Sequence, residues 1–148
     1  MATGSTAASY RHEAPGLPQG LVVLLGRILF VLVFLMAAPN HFSKPTIAYA
    51  AAQGVPLASL AVPLSGILLV AGGLSILLGY RAKLGAWLLA LFLVPVTLTM
   101  HKFWGVTDSA TAQIQMLMFL KNTAMLGAAL LISQFGAGPF SLDGRRSR

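Results

Sequence analysis

The stretch MLMFLKNTAMLGAALLIS, Met116 to Ser133, decides the fold. It is apolar almost throughout and long enough to lie in a bilayer, yet Lys121 and Asn122 sit within it. An ionisable side chain at membrane depth is costly and usually faces a partner or a water-filled cavity. Lys121 is therefore the first candidate for a functional residue.

Working outward, three more segments read as spans: Leu21 to Ala38, Leu60 to Gly79 and Leu84 to Met100, with the opening stretch extending over Ile114 to Gln134. A bilayer core needs about 20 mostly apolar residues per helix. The whole chain agrees with this. It has 148 residues, of which 57% are hydrophobic and 9% charged, where a soluble domain carries about 25% charged residues. The expected fold is all-α: an antiparallel four-helix transmembrane bundle. The short turn from Tyr80 to Lys83 makes the second and third spans neighbours. Between Pro39 and Ser59, the alanine-rich Thr46 to Gln53 follows Pro45 and precedes Gly54, which predicts a short outer-surface helix after helix one.

The charges set an expected topology. Arg11, Arg81, Lys83, Arg145, Arg146 and Arg148 fall on one side and Lys44 and Lys102 on the other. The positive-inside rule then places both termini in the cytoplasm. Residues 1–19 read as a disordered cytoplasmic tail, 20–136 as the membrane domain and 137–148 as a cytoplasmic basic tail. Arg27 within the first span argues against cleavage there as a signal peptide. The net charge of +7 does not point to nucleic acid, because the cations sit in loops and tails and no basic helix is interleaved with aromatics. The lipid bilayer is the expected partner. With no cysteine, disulfides, thiol redox chemistry and thiolate metal sites are excluded.

Several polar groups lie at or near membrane depth. Arg27 has two readings: an arginine that snorkels to headgroups, or an internal donor to neighbouring carbonyls. Ala124 and Ala128 share a helix face with Lys121, where small residues favour helix contact; this predicts a lysine turned into the bundle. Its bland counterpart is a structural hydrogen-bond hub. Pro95 frees the Leu91 carbonyl, which another polar group must satisfy. His101 closes the third span with Thr97 one turn below it, and His41 closes the first. An outer pocket formed by Lys121, Asn122, His101, Trp104, Thr97 and His41 is the expected ligand site. For either histidine, the plain alternative is an interfacial side chain with no special role. Two imidazoles could ligate haem, but no acid accompanies them at ligand spacing, so neither haem nor a metal is expected. The recurrent small residues Ala71, Ser75 and Gly79, with Ser65, Gly66, Gly72 and Gly73, read as helix-packing positions.

These residues also carry a resemblance. GRILFVLVFLMAAPNHFSKP (Gly26 to Pro45), QGVP (Gln53 to Pro56), AGGLSILLGYRAK (Ala71 to Lys83), MHKFW (Met100 to Trp104), FLKN (Phe119 to Asn122) and GAGPFSLDGR (Gly136 to Arg145) occur in this order. In these motifs the chain resembles the DoxX family of small bacterial membrane proteins. The resemblance implies a four-helix protein of the inner membrane. It also implies a link to oxidoreductase complexes, one relative being a subunit of an archaeal thiosulfate:quinone oxidoreductase. Many members carry a glutamate in the second helix, where this chain has Leu68, Leu69 and Val70; an acid that could partner Lys121 is missing.

The expected function is therefore a small inner-membrane subunit resembling redox-associated DoxX proteins, with a quinone as its ligand. Lys121, Asn122 and His101 would donate to the quinone oxygens. The chain is not expected to be catalytic alone and needs a protein partner to supply electrons. Homo-oligomerisation is left open. One alternative is a transporter or binding protein for a small anionic or apolar solute; a second is a structural subunit without a ligand.

Overall fold

A computed structural model describes residues 17–146. Within them the chain is helical, with α1 (Leu17–Ala37), α2 (Lys44–Ala52), α3 (Ala58–Leu78), α4 (Ala82–Met100), α5 (Ser109–Phe135) and α6 (Leu142–Arg146), and a 3-10 turn at Ala38–Phe42. No strand occurs among the described residues. Among the described residues four helices are long and apolar enough to cross a membrane: the 18–42 segment, α3, α4 and α5. The expected disordered tail falls mostly on residues 1–16, outside the described residues.

Local chemistry sets the boundaries. Pro39 sits at the start of the 3-10 turn and ends α1, since proline brings no N–H and crowds the preceding turn. Ser43 caps α2 by accepting from the Thr46 N–H, Pro45 occupies its first turn, and Gly54 beyond its end takes a left-handed φ of +83°. The short helix thus forms over almost the predicted residues. α5 starts five residues before the apolar run does, because the Asp108 carboxylate accepts the Thr111 N–H at 2.8 Å. A capping aspartate satisfies a backbone donor that the helix cannot.

Each long helix turns one stripe inward. Arg27, Val31, Phe34 and Ala38 are buried on α1 and the turn that follows; Val62, Gly66, Leu69, Gly73 and Ile76 on α3; Ala82, Ala86, Leu89, Leu93 and Thr97 on α4; Asn122, Ala129 and Ser133 on α5. The spacing of three and four residues is that of one helix face. Val31, Phe34, Leu69, Ile76, Ala86, Leu89 and Leu93 form the central core, and Met125, Leu126 and Ile132 of α5 pack against it. The outward faces keep Leu25, Leu29, Leu60, Ile67, Leu91 and Leu131 exposed. In a bilayer such faces meet lipid rather than water.

The small residues of α3 permit close packing. A Cβ on Gly72 would stand 2.9 Å from the Gly85 carbonyl oxygen and 2.8 Å from Leu89 Cδ2. One on Gly73 would stand 2.7 Å from Leu35 Cδ2, and one on Gly66 2.9 Å from Phe42. α3 therefore touches α4 on one side and α1 with its 3-10 turn on another.

Candidate functional site

Polar contacts gather at two ends of the bundle. At one end the segment after α5 folds back over the turn between α3 and α4. The buried Arg27 guanidinium donates from Nη1 to the Ala137 carbonyl at 2.8 Å and from Nη2 to the Phe140 carbonyl at 2.6 Å. Asp143 accepts the N–H groups of Arg81 and Ala82, at 2.9 and 3.0 Å, and its own N–H donates to the Gly79 carbonyl. Gly79 is required here. Its φ is +63°, and a Cβ would collide with Ser141 and with Arg27 Nη1. Arg27 Nε is buried with no partner among the described residues. The residues following Gly136, expected as a basic tail, thus include a docked segment. Arg27 faces inward because it shares its stripe with Val31, Phe34 and Ala38.

At the other end lies a cavity of about 450 Å³ bounded by the 3-10 turn, α2, α3 and α4. Its walls are mostly apolar and include Ala50, Val62, Leu68, Phe92, Val96 and Met100. Leu64, Leu91 and Pro95 also line it while remaining exposed, so one flank opens on the outer surface of α3 and α4. The polar wall residues are His41, Thr46, Ser65 and Thr99. His41 Nδ1 lies 2.7 Å from Ser65 Oγ, and the Ser65 hydroxyl donates to the Val62 carbonyl at 2.6 Å. The imidazole also stands edge-on to Phe92, with centroids 5.6 Å apart. Serine, carbonyl and phenyl ring together fix its orientation.

The residues anticipated as an outer pocket divide between this cavity and the α4–α5 side. His41 and Pro95 line the cavity. His101 instead pairs through Nδ1 with Gln115 Oε1 at 3.0 Å. Trp104, Phe103 and Phe119 form an edge-to-face cluster with centroids 5.2 to 6.0 Å apart. Thr97 is buried, its hydroxyl donating to the Leu93 carbonyl. Asn122 is buried, whereas Lys121 is exposed, and so is Ala124. This corrects the expectation of a lysine turned into the bundle. The inward stripe of α5 runs through Asn122, Ala129 and Ser133, and Lys121 lies about 100° round the helix from Asn122. Lys121, His101, Trp104, Asn122 and Thr97 are not among the residues that line the cavity.

Known proteins are similar to the chain in sequence. The family model described as DoxX matches residues 22–102, more than half of the chain. Inner membrane protein YphA of Escherichia coli is 30% identical over 132 residues, covering 88% of this chain and 94% of that protein. The chain belongs to the DoxX family. A second Escherichia coli relative, inner membrane protein YqjF, is 31% identical over 123 residues, 82% of this chain and 88% of the relative. ER-derived vesicles protein ERV29 of Saccharomyces cerevisiae is 24% identical over 128 residues, 86% of this chain but 34% of that protein. No solved structure matches the chain.

Every cavity-lining residue, from His41 to Met100, falls within the DoxX match, while Trp104, Lys121 and Asn122 lie beyond it. Ser65 is the site residue that sequence reading assigned to packing alone. It is 24 positions from His41, and no helical period links two residues on different elements. The one available signal was a serine amid an apolar span, where a hydroxyl needs a partner. Among the described residues no three His, Asp or Glu side chains gather as metal ligands.

Proposed function

We propose that this DoxX protein is a multi-pass inner-membrane subunit that binds a small lipid-soluble ring compound of quinone type in the His41 cavity. The observation that carries the reading is the cavity itself. Its volume of about 450 Å³ lies in the range of small-molecule sites, which are mostly apolar with a few placed polar groups. A ring with an apolar tail would meet Phe92, Val96 and Met100, and its oxygen would meet His41. The open flank at Leu64, Leu91 and Pro95 lies along membrane helices, so a ligand dissolved in the bilayer could enter sideways. Such a ligand, when bound, supplies two-electron redox chemistry. The chain's own residues would bind it, orient it and exclude water. Having no cysteine, the chain would rely on a partner for electrons. The relatives named as inner membrane proteins support that location.

The lining includes no lysine or arginine, which disfavours an anionic solute as the occupant. The test is lipid extraction and mass spectrometry of gently purified protein, with ubiquinone and menaquinone titration in nanodiscs. Copurifying quinone, and binding lost in the cavity-filling variant Ala61→Phe, are expected. Saturable binding of neither quinone would leave a structural subunit as the better reading.

A further inference from the structure

The polar atoms of the cavity wall are unusual in what they lack. Ser65 Oγ and the Val62 carbonyl oxygen are 2.6 Å apart. Two oxygens approach that closely only with a proton between them, and a serine has one proton to give. His41 Nδ1, 2.7 Å from the same Oγ, must therefore bring its own proton. That assigns neutral His41 as the Nδ1–H tautomer by its hydrogen-bond network. Its Nε2 then carries a lone pair to which no described residue donates a hydrogen bond; the Val62 carbonyl that also neighbours the imidazole is itself an acceptor.

Thr99 and Pro95 point the same way. The Thr99 hydroxyl donates to the Pro95 carbonyl at 2.7 Å. The Thr46 hydroxyl is paired with Ser43 at 2.9 Å. Pro95 has no N–H to offer the Leu91 carbonyl one turn earlier, and both residues line the cavity. The wall thus offers His41 Nε2 as an acceptor, and the Leu91 carbonyl lacks its usual donor one turn on, while the hydroxyl protons of Ser65 and Thr99 are already given to backbone.

We infer that the cavity selects an apolar ligand that carries a hydrogen-bond donor, a phenol-like hydroxyl, with His41 Nε2 as the acceptor that recognises it. The inference rests on the cavity's role as a ligand site proposed above and gives it a polarity: the hydroxyl-bearing, reduced form of a ring compound is held in preference to its carbonyl form. A carbonyl ligand would place acceptor against acceptor, whereas a hydroxyl fills the vacant lone pair, and unmatched polar groups in an apolar site are costly.

The test uses the full-length protein in nanodiscs, labelled with 15N at histidine, at about pH 8, where an ordinary imidazole is neutral. The probes are 4-hexylphenol and 4-hexylanisole, which share ring and tail but differ in the O–H. The His41 resonances, assigned by their loss in His41→Phe, should report the Nδ1–H tautomer before any probe is added. The phenol should shift Nε2 and bind at least about tenfold more tightly than the ether. The preference should vanish in His41→Phe and narrow in Ser65→Ala, which removes the acceptor that fixes Nδ1. If His41 is the Nε2–H tautomer, or the ether binds as well as the phenol, the donor preference is overturned while the cavity remains a ligand site. If neither probe nor any quinone binds above empty nanodiscs, the site and its polarity both fall.

Discussion

The Asp143 carboxylate accepts the Arg81 N–H at 2.9 Å across 62 positions of sequence. It does for α4 what a capping side chain normally does from within the same helix, because Arg81 at the N-cap makes no side-chain capping hydrogen bond. Arg27 holds the same returning segment through the Ala137 and Phe140 carbonyls. Asp143→Ala should therefore cost about 1 kcal/mol, the usual loss for a helix cap. Arg27→Lys should cost more than Asp143→Ala, since a single ammonium cannot reproduce the guanidinium fork. Thermal unfolding in detergent measures both, and limited proteolysis should show faster cutting between Gly136 and Arg145. Wild-type resistance to protease in both variants would contradict this docking.

Gly72 and Gly73 are adjacent yet should respond differently to the same substitution. An added methyl at Gly73 meets the end of the flexible Leu35 side chain, whereas at Gly72 it meets the Gly85 carbonyl oxygen as well as Leu89. Backbone cannot step aside as a side chain does. Gly72→Ala should destabilise by about 1–3 kcal/mol, the range for overpacking, and Gly73→Ala by clearly less. Equal shifts in unfolding temperature would show that the α3–α4 contact is not as close as the structure has it.

The four spans were legible because the length and hydropathy of a membrane helix leave few alternatives, and the short helix because Pro45 and Gly54 bracket it. The inward faces were harder to read. In a helix that is apolar all round, periodicity does not separate core from lipid, and Ala124 and Ala128 suggested the wrong face for Lys121. His41 and Pro95 were legible as polar or broken points in apolar runs. Their meeting with Ser65 and Thr99 was not, because it depends on how α3 and α4 pack rather than on any spacing along the chain.

Asp108 gives the start of α5 a pH dependence. The Thr111 hydroxyl, and then the Thr111 backbone N–H, hold its carboxyl below the usual carboxylate range. A folded value lowered in this way means that the cap is at full strength above the unfolded pKa of about 4. Its contribution is then lost as pH falls through the folded value. Amide exchange at Thr111 and Ala112 should be insensitive to the ionisation of Asp108 at neutral pH and should lose protection in acid. Asp108→Asn, which still accepts a hydrogen bond but does not titrate there, should flatten that dependence. An unchanged acid profile in Asp108→Asn would assign the effect to another group.

The cation distribution predicts that both termini face the cytoplasm. Arg81 lies in the α3–α4 turn, Lys83 in the first turn of α4, and Arg145 and Arg146 after α5, whereas the connections at the cavity end carry Lys44 and Lys102. Reporter fusions at Arg148 and after Ser59 read the two sides directly. A C-terminal fusion active only in the cytoplasm, with the Ser59 fusion active only outside, is the expected pattern, and the reverse would invert the topology.

Lys121 separates the cavity from the α5 face as ligand sites. It is exposed and lies about 18 Å along α5 from Ser109 at 1.5 Å per residue. Side chains on a helix lean towards its N-terminus, so the Lys121 stem is directed to the end where Phe119 meets Trp104. A lysine can lay its methylenes along apolar surface there and carry its ammonium towards headgroups. Lys121→Leu should then leave quinone titration of the purified protein unchanged, and fold stability within about 0.5 kcal/mol, as for surface changes away from special contacts. His41→Phe should weaken titration with the reduced, hydroxyl-bearing form about tenfold or more, because it removes the imidazole acceptor of the cavity wall. The opposite pattern, binding lost with Lys121 and kept without His41, would move the ligand to the outward face of α5.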